Sequence, residues 1–229
     1  MTQDGQIYHN IEILFEDNHL LVINKPSNML SQADKSGKPD VQSVMKTYLK
    51  EKYEKPGNVF LALVQRLDHP VGGTMVLART SKAASRLSEQ IRTRTVKKEY
   101  LAVVEGHVVN QGRLVHYLRK NNARKKAEIC REGTPGAQKA ELDLTVKQIS
   151  GKRSLVHIRL HTGRFHQIRA QLAAAGYPVA GDRKYGAMPL PDNSLALICS
   201  SVTFNHPVTK KVMSFKTETP GELPWTRFR

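Results

Sequence analysis

The apolar residues of the chain fall into short runs, most of which predict β-strands. Residues 11–24 alternate between apolar and polar and then become continuously apolar, with Asp17-Asn18 between the two parts, so they predict a β-hairpin. The polar, basic stretch 119–135 contains Gly133 and Pro135 and predicts a mobile loop or an extended hairpin. Further strands are predicted at 60–64, 74–78, 98–104, 141–149, 154–160, 195–204 and 212–215.

Three stretches follow the helical period instead. They are residues 41–50, residues 81–94 with Ser81 as the expected cap, and residues 166–175, which end at Gly176. Strands outnumber helices and follow one another more often than they alternate with helices. This pattern predicts an α+β fold with a mixed, mostly antiparallel central sheet flanked by helices and loops. One domain over residues 1–229 is expected, with residues 1–10 as a polar extension for which disorder is an open alternative.

The charge of the chain changes the picture. Lys and Arg number 36 against 20 Asp and Glu, a net charge of +16. Such an excess favours a polyanionic partner, while a merely solvated basic surface stays an alternative. A basic helix on a membrane surface is disfavoured because no cluster carries an apolar stripe. The clustered cations are Arg92, Arg94, Lys97 and Lys98, then Arg119, Lys120, Arg124, Lys125 and Lys126, and finally Lys210 and Lys211.

Composition also limits the compartment and the cofactors. No apolar run approaches the roughly 20 residues of a membrane span, and residues 1–10 lack a signal-peptide core, so a cytoplasmic location is expected. The two cysteines, Cys130 and Cys199, are far apart and are expected to be free thiols, which excludes a disulfide framework. The nine histidines show no metal-binding spacing, so no metal is expected.

Candidate chemistry begins at Gln65-Arg66-Leu67-Asp68, directly after the predicted strand 60–64. The turn-forming His69-Pro70 follows, so Asp68 is expected at the end of a rigid element, where a carboxylate can meet a substrate. A surface ion pair between Arg66 and Asp68 is the alternative. A second polar segment, residues 162–169, contains Arg164, His166, Gln167 and Arg169.

Four segments together resemble a pseudouridine synthase of the RluA type, a family that isomerises uridines in structured RNA. They are Asn24-Lys25-Pro26-Ser27, Arg66-Leu67-Asp68 with Gly72-Gly73, residues 98–106, and residues 162–169 with 176–182. The chain departs from the family pattern at Gln65, where His is usual, and at residues 69–72. We also expect no N-terminal accessory RNA-binding domain, so RNA affinity would come from the single catalytic domain itself.

The resemblance implies roles for three catalytic residues. Asp68 would be the essential carboxylate, which either attacks C1′ of the ribose or removes a sugar proton. Arg169 would pair with Asp68, and its alternative is an exposed helix arginine. Tyr100 would stack on the uracil and act as base or relay for the C5 proton, and its alternative is an ordinary strand tyrosine.

The resemblance also implies the substrate contacts. Leu197 would pack behind the Tyr100 ring, and Arg66 would fill the stack that the flipped uridine leaves. Contacts to RNA phosphates, or a purely structural role, would fall to Lys25, Arg164, His166 and Gln167. The reaction consumes nothing, so no cofactor is expected, and the expected partner is ribosomal or transfer RNA, bound by a monomer.

Two other functions compete with this one. A non-catalytic RNA-binding or ribosome-assembly protein of the same fold would explain the charge, but it leaves Asp68, Tyr100 and Arg169 in register by coincidence. A metal-dependent nuclease would gather several acidic residues, whereas Asp68 has the cation Arg66 beside it and no second acid between residues 55 and 79.

Overall fold

The computed structural model describes residues 6–228, and strands dominate in this part of the chain. The first strands are β1 (Gln6–Tyr8), β2 (Ile11–Glu16), β3 (Leu20–Lys25), β4 (Ala62–Leu63), β5 (Gly72–Ala78) and β6 (Lys97–Glu105). They are followed by β7 (Gly112–Asn121), β8 (Lys126–Cys130), β9 (Gln138–Ser150), β10 (Arg153–Leu160), β11 (Leu197–Asn205) and β12 (Val212–Lys216). The α-helices are α1 (Val41–Lys52), α2 (Ser81–Arg92) and α3 (Gln167–Ala174).

The chain divides into two compact units. The first runs through Val96 and also includes Cys199–Glu218, and the second comprises Lys97–Ile198 and the residues from Thr219 onward. The first unit contains a sheet in the order β1-β2-β3-β5-β11, to which β12 and β4 add as partners of β11 and β5. The second contains a sheet in the order β6-β10-β9-β7-β8, which α3 contacts at β7 and β8.

These sheets confirm the α+β prediction. The paired strands β2–β3, β3–β5, β6–β10, β9–β10 and β7–β9 are all antiparallel. Among the described residues, no helix has both the length and the apolar character that a membrane span requires.

The predicted hairpin at 11–24 forms as β2 and β3. The Asp17 carboxylate accepts hydrogen bonds from the backbone N–H groups of His19 and Leu20, both at 2.7 Å, so its side chain closes the turn. Ile11 and Leu20 are fully buried in this hairpin. The apolar pattern therefore predicted the pairing of these two strands.

Side chains cap the N-termini of the first two helices. Asp40 caps α1 by accepting from the backbone N–H of Ser43 at 3.0 Å. Thr80, not Ser81, caps α2 and accepts from the N–H of Ala83 at 3.1 Å. The prediction of Ser81 was wrong by one residue because Ser and Thr are both good caps and stand side by side.

For three other predictions, the structure revises the bounds or decides between the alternatives. The strand expected at 60–64 is reduced to Ala62–Leu63, and the chain bends at 64–65. The basic stretch 119–135 contains β8 and the end of β7, which pair from Tyr117 to Asn121, so it is a hairpin and not a loop. Within the expected N-terminal extension, Gln6–Tyr8 form a strand against β2, while residues 1–5 lie outside the described residues.

Glycines at the start of β5 allow two segments to approach closely. Gly73 has a positive φ of 111°, and a Cβ on it would overlap the backbone carbonyl of Cys199 in β11. A Cβ on Gly72 would lie 2.9 Å from Oγ of Ser27. The pair Gly72-Gly73 therefore lets β5 lie against β11 and the chain after β3, at the end of the loop that carries Asp68.

Candidate active site

The loop that carries Asp68, residues 65–71, is fixed along its length in the first unit. Nε2 of Gln65 donates to the carbonyl of Thr74 at 3.3 Å. Oγ of Ser31 donates to the carbonyl of Leu67 at 2.7 Å and accepts from the Leu67 N–H at 3.2 Å. The N–H of Val71 donates to the Asp68 carbonyl at 2.9 Å, which closes a turn. We name this segment the Asp68 loop; in it Asp68 is half-buried and Arg66 is exposed.

A buried cation lies beside this loop. Lys25, the last residue of β3, is only 1% exposed. Its Nζ donates to the carbonyls of Pro26, at 2.9 Å, and His69, at 3.3 Å. Burial lowers the pKa of Lys25 to about 7, and the negative charge of Asp68 opposes that shift. Because Lys25 holds loop carbonyls and has almost no exposed surface, its contacts favour the scaffold role over a phosphate contact.

In the second unit, Arg169 forms a buried ion pair with Asp182. Nε of Arg169 donates to Oδ2 of Asp182 at 2.6 Å, and Nη2 donates to Oδ1 at 2.8 Å. The two side chains are 6% and 1% exposed. This fork-to-fork contact fixes the plane of the guanidinium. Arg169 is thus buried on α3, so the alternative of an exposed helix arginine is wrong.

Aromatic rings surround the beginning of α3. The rings of Phe165 and His166 stack at a centroid distance of 3.9 Å, and Nδ1 of His166 lies 3.1 Å from the hydroxyl of Tyr185. Burial, with the nearby positive charges of Arg169 and Lys184, lowers the pKa of His166 to about 3. His166 is therefore neutral at physiological pH, so it can reach an RNA phosphate only as a hydrogen-bond donor and not as a cation.

Gln167 is used by the scaffold. Its Oε1 accepts from Oγ1 of Thr162 at 2.8 Å and from the N–H of Arg164 at 3.0 Å, while Nε2 donates to the Glu141 carbonyl at 3.1 Å. Gln167 is 3% exposed. These bonds tie the segment before α3 to β9 and favour the structural alternative for Gln167. Arg164, which is half-buried, donates from Nε to the Lys139 carbonyl at 3.0 Å.

Tyr100 and Leu197 are both buried in the second unit. Tyr100 lies on β6, opposite Ile158 of β10, and is 7% exposed. Leu197 begins β11 and is 3% exposed. The segment before it is fixed by two backbone bonds, from Val103 to the carbonyl of Ala196 and from Ala196 to the carbonyl of Ala180. The proposed contact of Leu197 with the Tyr100 ring stays a prediction.

The predicted site residues thus fall into two groups. Lys25, Arg66 and Asp68 belong to the first unit. The second unit holds Tyr100, Arg164, His166, Gln167, Arg169 and Leu197. The pairing of Asp68 with Arg169 stays a prediction. Among the described residues, no group of three or more His, Cys, Asp or Glu side chains is placed to hold a metal ion.

Two supporting residues were missed at the sequence level. Asp182 was recognised only as part of a motif, although a signal existed, because an arginine on a helix that is apolar on most sides requires a carboxylate partner. Ser31 lies in a polar loop and bonds the backbone of Leu67 across 36 positions. No local pattern in the sequence identifies such a contact.

Comparison with known proteins agrees with the resemblance. Residues 19–174 match the family model described as RNA pseudouridylate synthase. An "Uncharacterized RNA pseudouridine synthase YhcT" of Bacillus subtilis is 31% identical over 220 residues, which cover 94% of this chain and 71% of that protein. A ribosomal large subunit pseudouridine synthase C of Buchnera aphidicola is 35% identical, over 88% of this chain and 65% of that protein. The chain therefore spans about two thirds of the length of these relatives.

A third relative and two solved structures extend the comparison. A tRNA pseudouridine synthase C of Pasteurella multocida is 29% identical, with 88% of each chain covered. The fold is shared with human RNA Pseudouridylate Synthase Domain Containing 4, with a TM-score of 0.76 at 22% identity over 91% of this chain and 88% of that one. Human RNA Pseudouridylate Synthase Domain Containing 1 gives a TM-score of 0.69 at 24% identity, over 95% and 87%. The chain belongs to the RNA pseudouridylate synthase family of isomerases that act on RNA.

Proposed function

We propose that this chain converts specific uridines of structured RNA, ribosomal or transfer, into pseudouridine, with Asp68 as the essential carboxylate. The named relatives include synthases for both RNA classes. One observation carries the role of Asp68: a half-buried carboxylate, on a loop fixed by hydrogen bonds, lies close enough to the buried Lys25 for their charges to interact.

The reaction requires Asp68 in its ionised form. The bond from C1′ of the ribose to N1 of uracil breaks, the base turns, and C1′ joins C5. Asp68 either attacks C1′ or removes a sugar proton, and both steps need a carboxylate. Burial disfavours this charged form, while a nearby cation favours it. Lys25 supplies such a cation from within the first unit while it is protonated, which its pKa of about 7 favours below neutral pH.

Arg169 would supply the second cation. A guanidinium has five N–H donors, and Asp182 accepts two of them along the edge formed by Nε and Nη2. The opposite edge of the guanidinium is oriented by this contact and has the geometry to bind a second carboxylate, for which we propose Asp68. Asp182 is then a positioning residue. Tyr100 would stack on the free uracil and take or relay the C5 proton, with Leu197 behind its ring.

Arg66 would act during base flipping. It is exposed and lies two residues before Asp68 on the fixed Asp68 loop. An unstacked uridine costs a few kcal/mol, and a guanidinium that takes its place in the stack offsets part of that cost. Arg164 would contact an RNA phosphate, while Lys25 and Gln167 would support the site through the bonds described above.

The test is conversion by the Asp68→Asn variant, measured as pseudouridine formed in ribosomal and transfer RNA from cells that lack the gene. We expect no conversion, with RNA affinity within a few-fold of wild type because the fold and the phosphate contacts are unchanged. Asp192→Asn, at an exposed position in the second unit, serves as the control and should convert RNA normally.

Turnover by Asp68→Asn on a transcript that the wild type modifies would refute the role of Asp68. If the wild type converts uridine in none of these RNAs, the enzymatic function is refuted and the RNA-binding alternative is favoured. In the same assay, Arg66→Ala should slow conversion at saturating RNA with an unchanged melting temperature. Unchanged kinetics would remove Arg66 from base flipping.

A further inference from the structure

A groove in the first unit lies next to the Asp68 loop but does not include Asp68. It is lined by segment 58–63, by Gln42 and Lys46 of α1, and by Gln32. Its volume is about 580 Å³, within the range of ligand pockets. We name it the Phe60 groove.

The groove contains an exposed aromatic ring. Phe60 is 50% exposed, although the residues on either side of it, Val59 and Leu61, are buried at 8% and 2%. The segment is therefore anchored by its neighbours while the Phe60 ring stays in solvent. A ring fixed in this way has a face available for stacking, and nucleic-acid bases stack on such side chains.

The polar groups of the groove suit a nucleotide. Gln32, Gln42 and Asn58 have carboxamides, which donate and accept hydrogen bonds as base edges do. Nε2 of Gln42 donates to the carbonyl of Leu61 at 2.7 Å, which fixes the orientation of that amide. Lys46 contributes an ammonium group, and none of the described lining residues has a carboxylate. A phosphate can therefore approach Lys46 without repulsion.

The groove is connected to the Asp68 loop by short lengths of chain. Segment 58–63 ends in β4, which pairs with β5, and the chain continues from there into the loop. On the other side, Gln32 follows Ser31, whose hydroxyl makes two hydrogen bonds with Leu67. A ligand in the groove would therefore be held at a fixed place relative to Asp68 within this unit.

We infer that the Phe60 groove binds a second unpaired nucleotide of the substrate RNA, next to the one that reacts at Asp68. Its base stacks on Phe60, its edge meets the carboxamides, and its phosphate lies at Lys46. The inference rests on the proposed function and deepens it, because the groove would select RNAs with an unpaired nucleotide at a set distance from the target uridine. A nucleotide is favoured over a peptide by the net charge of +16 and by the exposed ring.

The first experiment measures RNA affinity and steady-state conversion of variants on a transcript that the wild type modifies. Phe60→Ala should weaken binding about tenfold and raise KM by a similar factor, with kcat unchanged, because stacking on the ring is lost. Phe60→Tyr keeps an aromatic ring and should have the RNA affinity and the KM of the wild type. Lys46→Ala should weaken binding several-fold more than Lys50→Ala, which removes an equal charge from an exposed position of the same helix.

The second experiment locates the nucleotide. Single abasic substitutions are placed at each unpaired position near the target uridine. At one such position, the abasic substitution should lower the affinity of the wild-type protein for the RNA. The same substitution should not lower the affinity of Phe60→Ala further, since the two changes remove the same contact. Melting temperatures confirm that the variants fold.

Two results would overturn the inference. One is wild-type affinity and KM for Phe60→Ala, and the other is an additive loss at every abasic position. If no RNA is converted by the wild type, the proposed function fails. The binding measurements still report on the groove, so the two failures are distinguishable.

Discussion

At the scale of single residues, the candidate site is organised by buried charges. Lys25 is almost completely buried and holds the carbonyls of Pro26 and His69, and its charge interacts with Asp68. Arg169 is held by Asp182 through two short bonds. Buried charges cost free energy unless they are paired and hydrogen-bonded. A purely structural core would therefore have apolar side chains at the positions of Lys25 and Arg169.

The lowered pKa of Lys25 predicts a pH dependence of stability. The folded state releases the proton near pH 7, whereas the unfolded chain keeps it to about pH 10.5, so the unfolded state binds more protons between these values. The free energy of unfolding should therefore rise with pH in that window, by up to about 1.4 kcal/mol per pH unit from this group. Below pH 7 the cost of burying the charge is present in full.

Urea unfolding of Lys25→Met and wild type between pH 6 and 10 measures this effect. The free energy of unfolding of Lys25→Met, relative to that of the wild type, should be highest at pH 6. This difference should shrink as the pH rises. Lys50→Met, at an exposed position, should follow the wild-type curve. Parallel curves for Lys25→Met and wild type would contradict the shifted pKa.

At the scale of elements, β5 determines where the Asp68 loop begins and ends. All of its residues are buried, it pairs with β3 from Gly73 to Ala78, and its last two residues, Leu77 and Ala78, also pair with β4. Gly73 lets it approach β11, and Oγ1 of Thr74 lies 2.8 Å from Oγ1 of Thr217. A change at the start of β5 should therefore disturb the sheet and the loop together.

Gly73→Ala should destabilise the protein more than Gly112→Ala. Both glycines have a positive φ, 111° and 117°, so both substitutions strain the backbone by about 1–3 kcal/mol. Only Gly73 faces a backbone atom, in Cys199, while a Cβ on Gly112 meets nothing within 4 Å. We expect an additional loss of about 1–3 kcal/mol for Gly73→Ala, measured by thermal and urea unfolding. Equal losses of unfolding free energy in the two variants would show that the close approach of Gly73 to Cys199 does not contribute to the stability.

The elements also show which predictions a sequence supports. Alternation predicted β2 and β10 well, because each has one face in a core, and a continuous apolar run predicted β3, which is buried on both faces. A continuous apolar run failed to predict the strand bounds at residues 60–64, where the apolar residues around Phe60 line a groove and only Ala62–Leu63 pair. The sequence does not decide between a loop and a hairpin for β7 and β8, because the outer half of that hairpin is exposed and carries no apolar signal.

The features of the candidate site also divide into those that the sequence predicts and those that it does not. The motifs around Asp68 and Arg169 were visible in the sequence, since they depend on residue type and local order. The contacts of Lys25, Ser31 and Asp182 were not, because they join distant parts of the chain and depend on burial. A lysine in particular is expected at the surface, and nothing local marks Lys25 as buried.

At the scale of the whole molecule, positive charge is the dominant feature. The net charge is +16, and the hairpin of β7 and β8 carries an exposed group of cations at its turn. Such a surface attracts RNA through counterion release, which depends on salt and not on sequence. Under our proposals, affinity and selectivity therefore come from different parts of the protein. The cationic surface provides affinity for RNA, and the Asp68 loop and the Phe60 groove provide selectivity.

RNA binding should weaken steeply with salt. Each phosphate contact contributes about 0.7–0.9 to the slope of log affinity against log salt concentration. Replacing both Arg124 and Lys125, at the turn of the hairpin, with alanine should reduce that slope by about one to two. Lys82→Ala, on α2, removes a cation outside the clusters and should leave it nearly unchanged. Filter binding between 50 and 300 mM salt (about the useful range) measures the slopes, and identical slopes would exclude the hairpin from the phosphate contacts.

The first unit has a consequence for biosynthesis. It is interrupted in sequence: β5 needs β11 as its neighbour, and β11 is synthesised only after more than a hundred intervening residues, those between Ala78 and Leu197. Until then the nascent chain exposes an apolar strand with an unsatisfied edge, the kind of surface that chaperones recognise and that aggregates. Maturation of the Asp68 loop must therefore wait until β11 has been synthesised and has emerged from the ribosome.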